Sequence, residues 1–160
     1  MDEVDRILQA WARETPDLDV SPLRVLSRVS RLARHLDFER RDAFAIHSLD
    51  TWEFDVLAAL RRAGRPYRLS PGQLLRETHV TSGTMTNRVD RLVARGAVTR
   101  DPDPDDGRGM LVTLTPAGLE LVDAALVSLV LLEEALLAEW DPQDRAEMTD
   151  YLRRLLLGSA

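Results

Sequence analysis

Residues 70–115 read SPGQLLRETHVTSGTMTNRVDRLVARGAVTRDPDPDDGRGMLVTLT, and this stretch decides the fold. Ser70, Pro71 and Gln73 have capping-box spacing with proline at the first helical position, which predicts a short helix ending near Thr78. Thr81 caps a second helix, with Val80 and Met85 as the hydrophobic staple around it. Met85, Val89, Leu92 and Val93 supply its buried face, and Gly96 closes it as a C′ glycine. Two short helices joined by a few residues predict a helix-turn-helix. Behind them, 97–100 and 110–114 read as two strands. The intervening prolines forbid helix, and the Asp-Gly step suits a hairpin loop. Helix, turn, helix and ribbon together predict a winged helix-turn-helix. Such a unit puts its second helix in the DNA major groove and its ribbon tip over the adjacent minor groove.

Working upstream, Asp50 and Glu53 repeat the capping-box spacing, flanked by Leu49 and Phe54 as a staple. That helix runs to about Arg62, where Gly64 and Pro66 stop it. Before it, Ser21 with Pro22 reads as the start of a long helix reaching about His47, with Leu23, Leu26, Val29, Leu32 and Leu36 along one stripe. Val4, Ile7, Leu8 and Trp11 mark an additional N-terminal helix that Thr15-Pro16-Asp17 ends. Downstream, Thr115-Pro116 opens a helix that is apolar on nearly every face from Leu119 to Leu137. A helix apolar all round must be buried all round, and a chain of this size has little core to surround it. A second subunit is the expected cover, joined by a last helix from about Pro142 to Leu157; an intrachain bundle is the alternative. The expected fold class is mainly α with a small β-wing. The N-terminal helices occupy 1–48, the DNA-binding domain 49–114 and the C-terminal dimerisation helices 115–160.

The formal net charge of −6 argues against a nucleic-acid binder only if it is spread evenly. Residues 61–114 carry ten Arg and six acids, a local +4, whereas 115–160 carry three Arg and nine acids. Positive charge therefore sits with the groove-reading motif. The chain has no lysine, so every cation apart from histidine is a planar guanidinium suited to phosphate and carboxylate. It has no cysteine, which excludes disulfides and thiolate chemistry. No membrane-length apolar run or signal-peptide layout is present, so no membrane partner and a cytoplasmic location are expected. His35, His47 and His79 are scattered, with no metal-ligand spacing, and neither a phosphate loop nor a nucleophile elbow occurs. No catalytic residue, metal or cofactor is expected.

On the outward face of the second motif helix stand Ser82, Thr84, Thr86, Asn87, Arg88 and Arg91. Hydroxyls at a helix N-terminus bind phosphate, and Asn and Arg make paired contacts to adenine and guanine edges. At the loop tip, Asp106 can pin Arg108 so that it points into a narrow minor groove, with most of the other acids turned away. An ordinary solvated face and an incidental loop arginine are the alternatives.

The run Trp52-Glu53-Phe54-Asp55-Val56-Leu57, the segment 81–92, the loop 103–109 and Leu114-Thr115-Pro116 together resemble the MarR family of bacterial regulators over most of the chain. The resemblance implies a homodimer on a pseudopalindromic operator in double-stranded DNA, repressing genes and released by a small molecule. The added helix with Trp11 and the segment 16–22 further resemble the urate-responsive, PecS-like branch. That resemblance implies an effector site of Trp11, Asp55, Arg88 and Arg100. Trp11 would wall a flat ring, and the two arginines would bind an anionic edge. Asp55 would pair with Arg100 until an incoming anion such as urate displaced it. Two alternatives remain open within DNA binding: a constitutive winged-helix protein without effector, and a regulator answering to phenolic compounds. A third, outside it, is an enzyme or scaffold that borrowed the fold.

Overall fold

A computed structural model describes residues 1–104, 106 and 109–158. Its elements are α1 (Glu3–Glu14), α2 (Leu23–Ala45), α3 (Thr51–Arg62), β1 (Arg68–Leu69), α4 (Pro71–Thr78), α5 (Ser82–Ala94), β2 (Val98–Pro102), β3 (Met110–Leu114), α6 (Pro116–Leu136) and α7 (Pro142–Gly158). Mainly helical with one small sheet, this is the expected class. By contacts the chain divides into two units, 1–42 and 43–160, and α2 runs from the first into the second. Among the described residues no helix is long and apolar enough to cross a membrane.

In the first unit, Asp2 and Asp5 form a reciprocal capping box at the start of α1, each backbone N–H donating to the other's carboxylate at 2.9 and 3.0 Å. Arg28 of α2 then donates to Asp2 at 2.8 Å and to Asp5 at 2.6 Å, and Arg31 pairs with Glu3 at 3.0 Å. The Arg28 bond, with the cap, holds the Asp2 carboxyl below its ordinary value of 3.8. The Asp2 N–H, and after it Arg28, does the same for Asp5, and Arg31 holds Glu3 below 4.5. Folded-state values depressed in this way give a contribution fully present above the ordinary carboxylate range and lost as pH falls through it. The protection factors of the α1 amides, taken relative to the intrinsic exchange rate at each pH, are therefore expected to fall as the solution passes from about pH 6 to about pH 3. Arg28→Ala should start from faster exchange and respond less to acid. Equal protection of α1 at both ends of that range would refute this account.

Ser21 does not cap α2. Its backbone and hydroxyl both donate to Asp19, at 2.9 and 3.0 Å, and the helix begins at Leu23. Asp19 ties the Ser21 N–H and hydroxyl into the preceding loop, and the helix starts only after Pro22.

The second unit is built around Phe44, Phe54, Val56, Leu57, Leu60, Leu74, Met85, Leu92, Val112 and Val122, all buried. Phe44 and Phe54 stack with centroids 4.2 Å apart. The expected two-stranded ribbon is a three-stranded antiparallel sheet in the order β1-β3-β2, with Arg68 opposite Thr113 and Arg100 opposite Val112. A strand of two residues carries no alternation to read, which is why β1 is invisible in the sequence. β2 starts at Val98 rather than at Ala97, because the Ala97 N–H is spent on the helix before it. It donates to Leu92 O at 3.0 Å while Gly96 N donates to Val93 O at 2.8 Å. With Gly96 at φ +76°, this is a Schellman closure.

The sheet joins α6 through Thr115. Its hydroxyl donates to Gly96 O at 2.8 Å and accepts from Gly118 N at 3.0 Å, and its N–H donates to Ala97 O at 3.1 Å. Inward, α6 presents Gly118, Val122 and Ala125. Outward, Val127, Val130 and Leu131 are more than half exposed, and α7 has no buried residue. The apolar girdle of α6 is thus only partly covered by its own chain.

Candidate nucleic-acid interface

Ser70 caps α4 as its spacing predicts, accepting from Gln73 N at 3.3 Å while Gln73 Oε1 accepts from Ser70 N at 2.8 Å. The helix ends at His79, which sits in the left-handed region (φ +53°) and donates its N–H to Leu75 O at 3.0 Å. That turn reverses the chain and Thr81 starts α5. Met85, Val89 and Leu92, at i, i+4 and i+7, are buried, and each contributes about 1.5–3 kcal/mol of apolar burial. Val93, expected on the same face, is 40% exposed. It stands about 40° of helix beyond Val89, on the rim of the stripe that meets the core.

The docked face fixes what points away. Ser82, Thr84, Thr86, Asn87 and Arg91 are exposed and Arg88 is half-buried, so all six predicted DNA-contacting side chains on α5 share the solvent side. The hydroxyls of Thr81 and Thr84 lie 3.0 Å apart at the helix N-terminus, and Thr86 donates back to Ser82 O at 3.2 Å. The first N–H groups of α5 receive no side-chain cap and stand with these hydroxyls, an arrangement suited to phosphate, while Arg88 and Arg91 lie further along the helix. Of the wing residues, Asp106 is exposed, and Arg108 lies outside the described residues.

The contacts of Trp52 and Glu53 are not spelled out by the sequence. The Trp52 ring, half-buried at the start of α3, lies under two arginines of α5, with Arg91 Cζ 4.6 Å and Arg88 Cζ 5.4 Å from its centroid. Its indole N–H donates to Asp50 Oδ2 at 3.1 Å, and that carboxylate stands 3.6 Å from Arg91. Arg95, at the C-terminus of α5, pairs at 3.1 Å with Glu53, the one buried charged side chain among the described residues, and donates to Ser48 O at 2.7 Å. Glu53 also accepts the Asp50 N–H at 2.9 Å, so one carboxylate both caps α3 and anchors α5. Capping-box spacing at 50 and 53 is the available signal, but it names neither arginine.

The expected effector residues are placed as follows. Arg100, on β2, pairs with Asp90 of α5 at 3.2 Å. Asp90, which the sequence reading does not name, is thus a carboxylate that the structure pairs with Arg100. Asp55 is exposed on α3 and has an interaction of its own. Arg88 rests over Trp52. Trp11 is 48% exposed on α1 of the first unit. Among the described residues no group of His, Asp or Glu side chains stands where it could hold a metal ion.

Comparison with known proteins gives a consistent result. The profile described as "MarR family" matches residues 47–109. The HTH-type transcriptional regulator PecS of Dickeya dadantii is 34% identical over 153 residues, covering 96% of this chain and 92% of PecS. A mutant of Escherichia coli MarR complexed with operator DNA is similar at a TM-score of 0.73, with 26% identity over 86% of this chain and 96% of that one. Bordetella bronchiseptica BpsR, whose DNA binding is regulated by 6-hydroxynicotinic acid, is similar at a TM-score of 0.69, with 26% identity over 82% of this chain and 91% of that one.

Proposed function

Because this chain belongs to the MarR family and is a transcriptional regulator of that family, we propose that it is a repressor acting in the cytoplasm, bound to a pseudopalindromic operator as a homodimer and released by a small flat anion such as urate or a related purine. The observation that carries the DNA part is the exposed α5 face. Its hydroxyls, Asn87 and two arginines stand on a helix whose opposite side is locked into the core. Support for the homodimer comes from the outward apolar residues of α6 and α7, which a partner's copy of the same helices would cover.

Support for an anionic effector comes from the Arg100–Asp90 pair and from BpsR, a similar structure regulated by a hydroxylated heteroaromatic acid. An anion seated on Arg100 competes with Asp90 for one guanidinium. Asp90 belongs to α5 itself, so the competition acts directly on the groove-reading helix. A dimer needs two such helices one DNA turn apart, and a small shift in each costs affinity.

The test is a gel shift on the chain's own upstream promoter at fixed salt, with a panel of urate, 6-hydroxynicotinate and simple phenolates. Wild type should bind and be released by one class of these anions. Arg100→Ala should bind DNA and need at least about tenfold more anion for release. Release of both proteins at the same concentration would refute the proposed switch. A shift indifferent to every anion would favour a constitutive regulator.

A further inference from the structure

Trp52 and Asp50 are used neither by the effector reading nor by the set of groove-facing residues, although two arginines of that set rest on Trp52. We propose that Trp52 is a positioning residue for operator binding: its indole, oriented by Asp50, holds Arg88 and Arg91 of α5 ready for phosphate. This rests on the DNA-binding reading above and adds to it a residue that never touches DNA.

The geometry argues for positioning over incidental contact. Two guanidinium groups from one helix lie over one ring, at 4.6 and 5.4 Å from its centroid. At i and i+3 on α5 the two positive charges face the same side and repel. The negative π-face offsets that repulsion, and the Asp50 carboxylate 3.6 Å from Arg91 offsets more. The ring itself is fixed twice. Its body packs against the core of the unit and its N–H is bonded to Asp50 at 3.1 Å. A guanidinium lying over a ring engages it through its face and keeps its edge N–H groups for phosphate oxygens. Without the ring each arginine is a long side chain spread over many rotamers, and DNA must order it on binding.

The test compares operator affinity and its salt dependence for W52L, W52F and wild type, together with R88A/R91A and the triple variant W52L/R88A/R91A. W52L should bind about tenfold more weakly, and its salt slope should fall by about 1 for each phosphate that an arginine no longer neutralises. W52F, which keeps a π-face, should stay within about threefold of wild type. In the R88A/R91A background W52L should cost nothing further, a result that separates positioning from a general loss of packing. Wild-type affinity and slope in W52L, or a full additional loss in the triple variant, would overturn the proposal while leaving the DNA reading intact. Failure of wild type to bind any fragment of its promoter would overturn both.

Discussion

Gly118→Ala is expected to cost about 3 kcal/mol or more, lowering the melting midpoint by roughly 6–12 °C. A Cβ at this position would stand 1.9 Å from the Ala97 carbonyl oxygen and 2.9 Å from its carbon. Both are backbone atoms, so no side chain can swing away. Neither partner can retreat freely. The Ala97 oxygen accepts from Thr115 N at 3.1 Å, and the Ala97 N–H completes the closure of α5. The Gly118 N–H is the one that Thr115 caps, at 3.0 Å. Relieving the clash means opening the junction where the last turn of α5, the base of the wing and the first turn of α6 meet. Circular-dichroism melts of wild type and variant decide the matter, and midpoints within about 2 °C of each other would contradict it.

Leu131→Glu is expected to abolish the dimer and, with it, more than about 99% of operator affinity. Leu131 is 66% exposed in the single chain, and Val127 and Val130 beside it are 59% and 55% exposed. A glutamate there faces away from the subunit's own core, so the fold of each chain should survive. In a two-fold interface the change occurs twice, and each carboxylate meets apolar surface that cannot solvate it. Operator affinity falls because two half-site energies then no longer combine in one binding event. Light scattering after size exclusion reads the assembly, and a fluorescence titration reads the DNA. A variant that elutes as wild type and binds as tightly would remove α6 from the interface.

The contrast between what the sequence announces and what it conceals follows from range. Ser70 with Gln73, Asp50 with Glu53 and Met85 with Val89 and Leu92 are local relations, spaced by the helical repeat, and each is where its spacing says it should be. The exposed side of α5 follows directly from its buried side, so which of its residues face solvent is legible too. Pairings between elements are not. Arg95 reaches Glu53 across 42 positions, and nothing local to either residue marks the other. Arg100 could have met any of several carboxylates near α3 and α5, and the twist of β2 delivers it to Asp90. Trp52 reads as an apolar residue beside a cap, because a ring's use as a platform depends on what a later helix lays over it. Ser21 misleads for the opposite reason. Its local signature is sound, but Asp19 ties its N–H and hydroxyl into the preceding loop and the helix starts only after Pro22.

The sheet of the wing has a further consequence for how this protein behaves at high concentration. Its middle strand β3 is paired on both sides, so the unpaired edges belong to β1 and β2. One edge is two residues long and begins at Arg68; the other carries charged Arg100 and Asp101 and ends in Pro102, which has no N–H to donate. Short, charged and proline-tipped borders make poor templates for strand-by-strand accretion of further copies. Self-association of folded molecules is thereby steered away from the ribbon, even in a crowded cell.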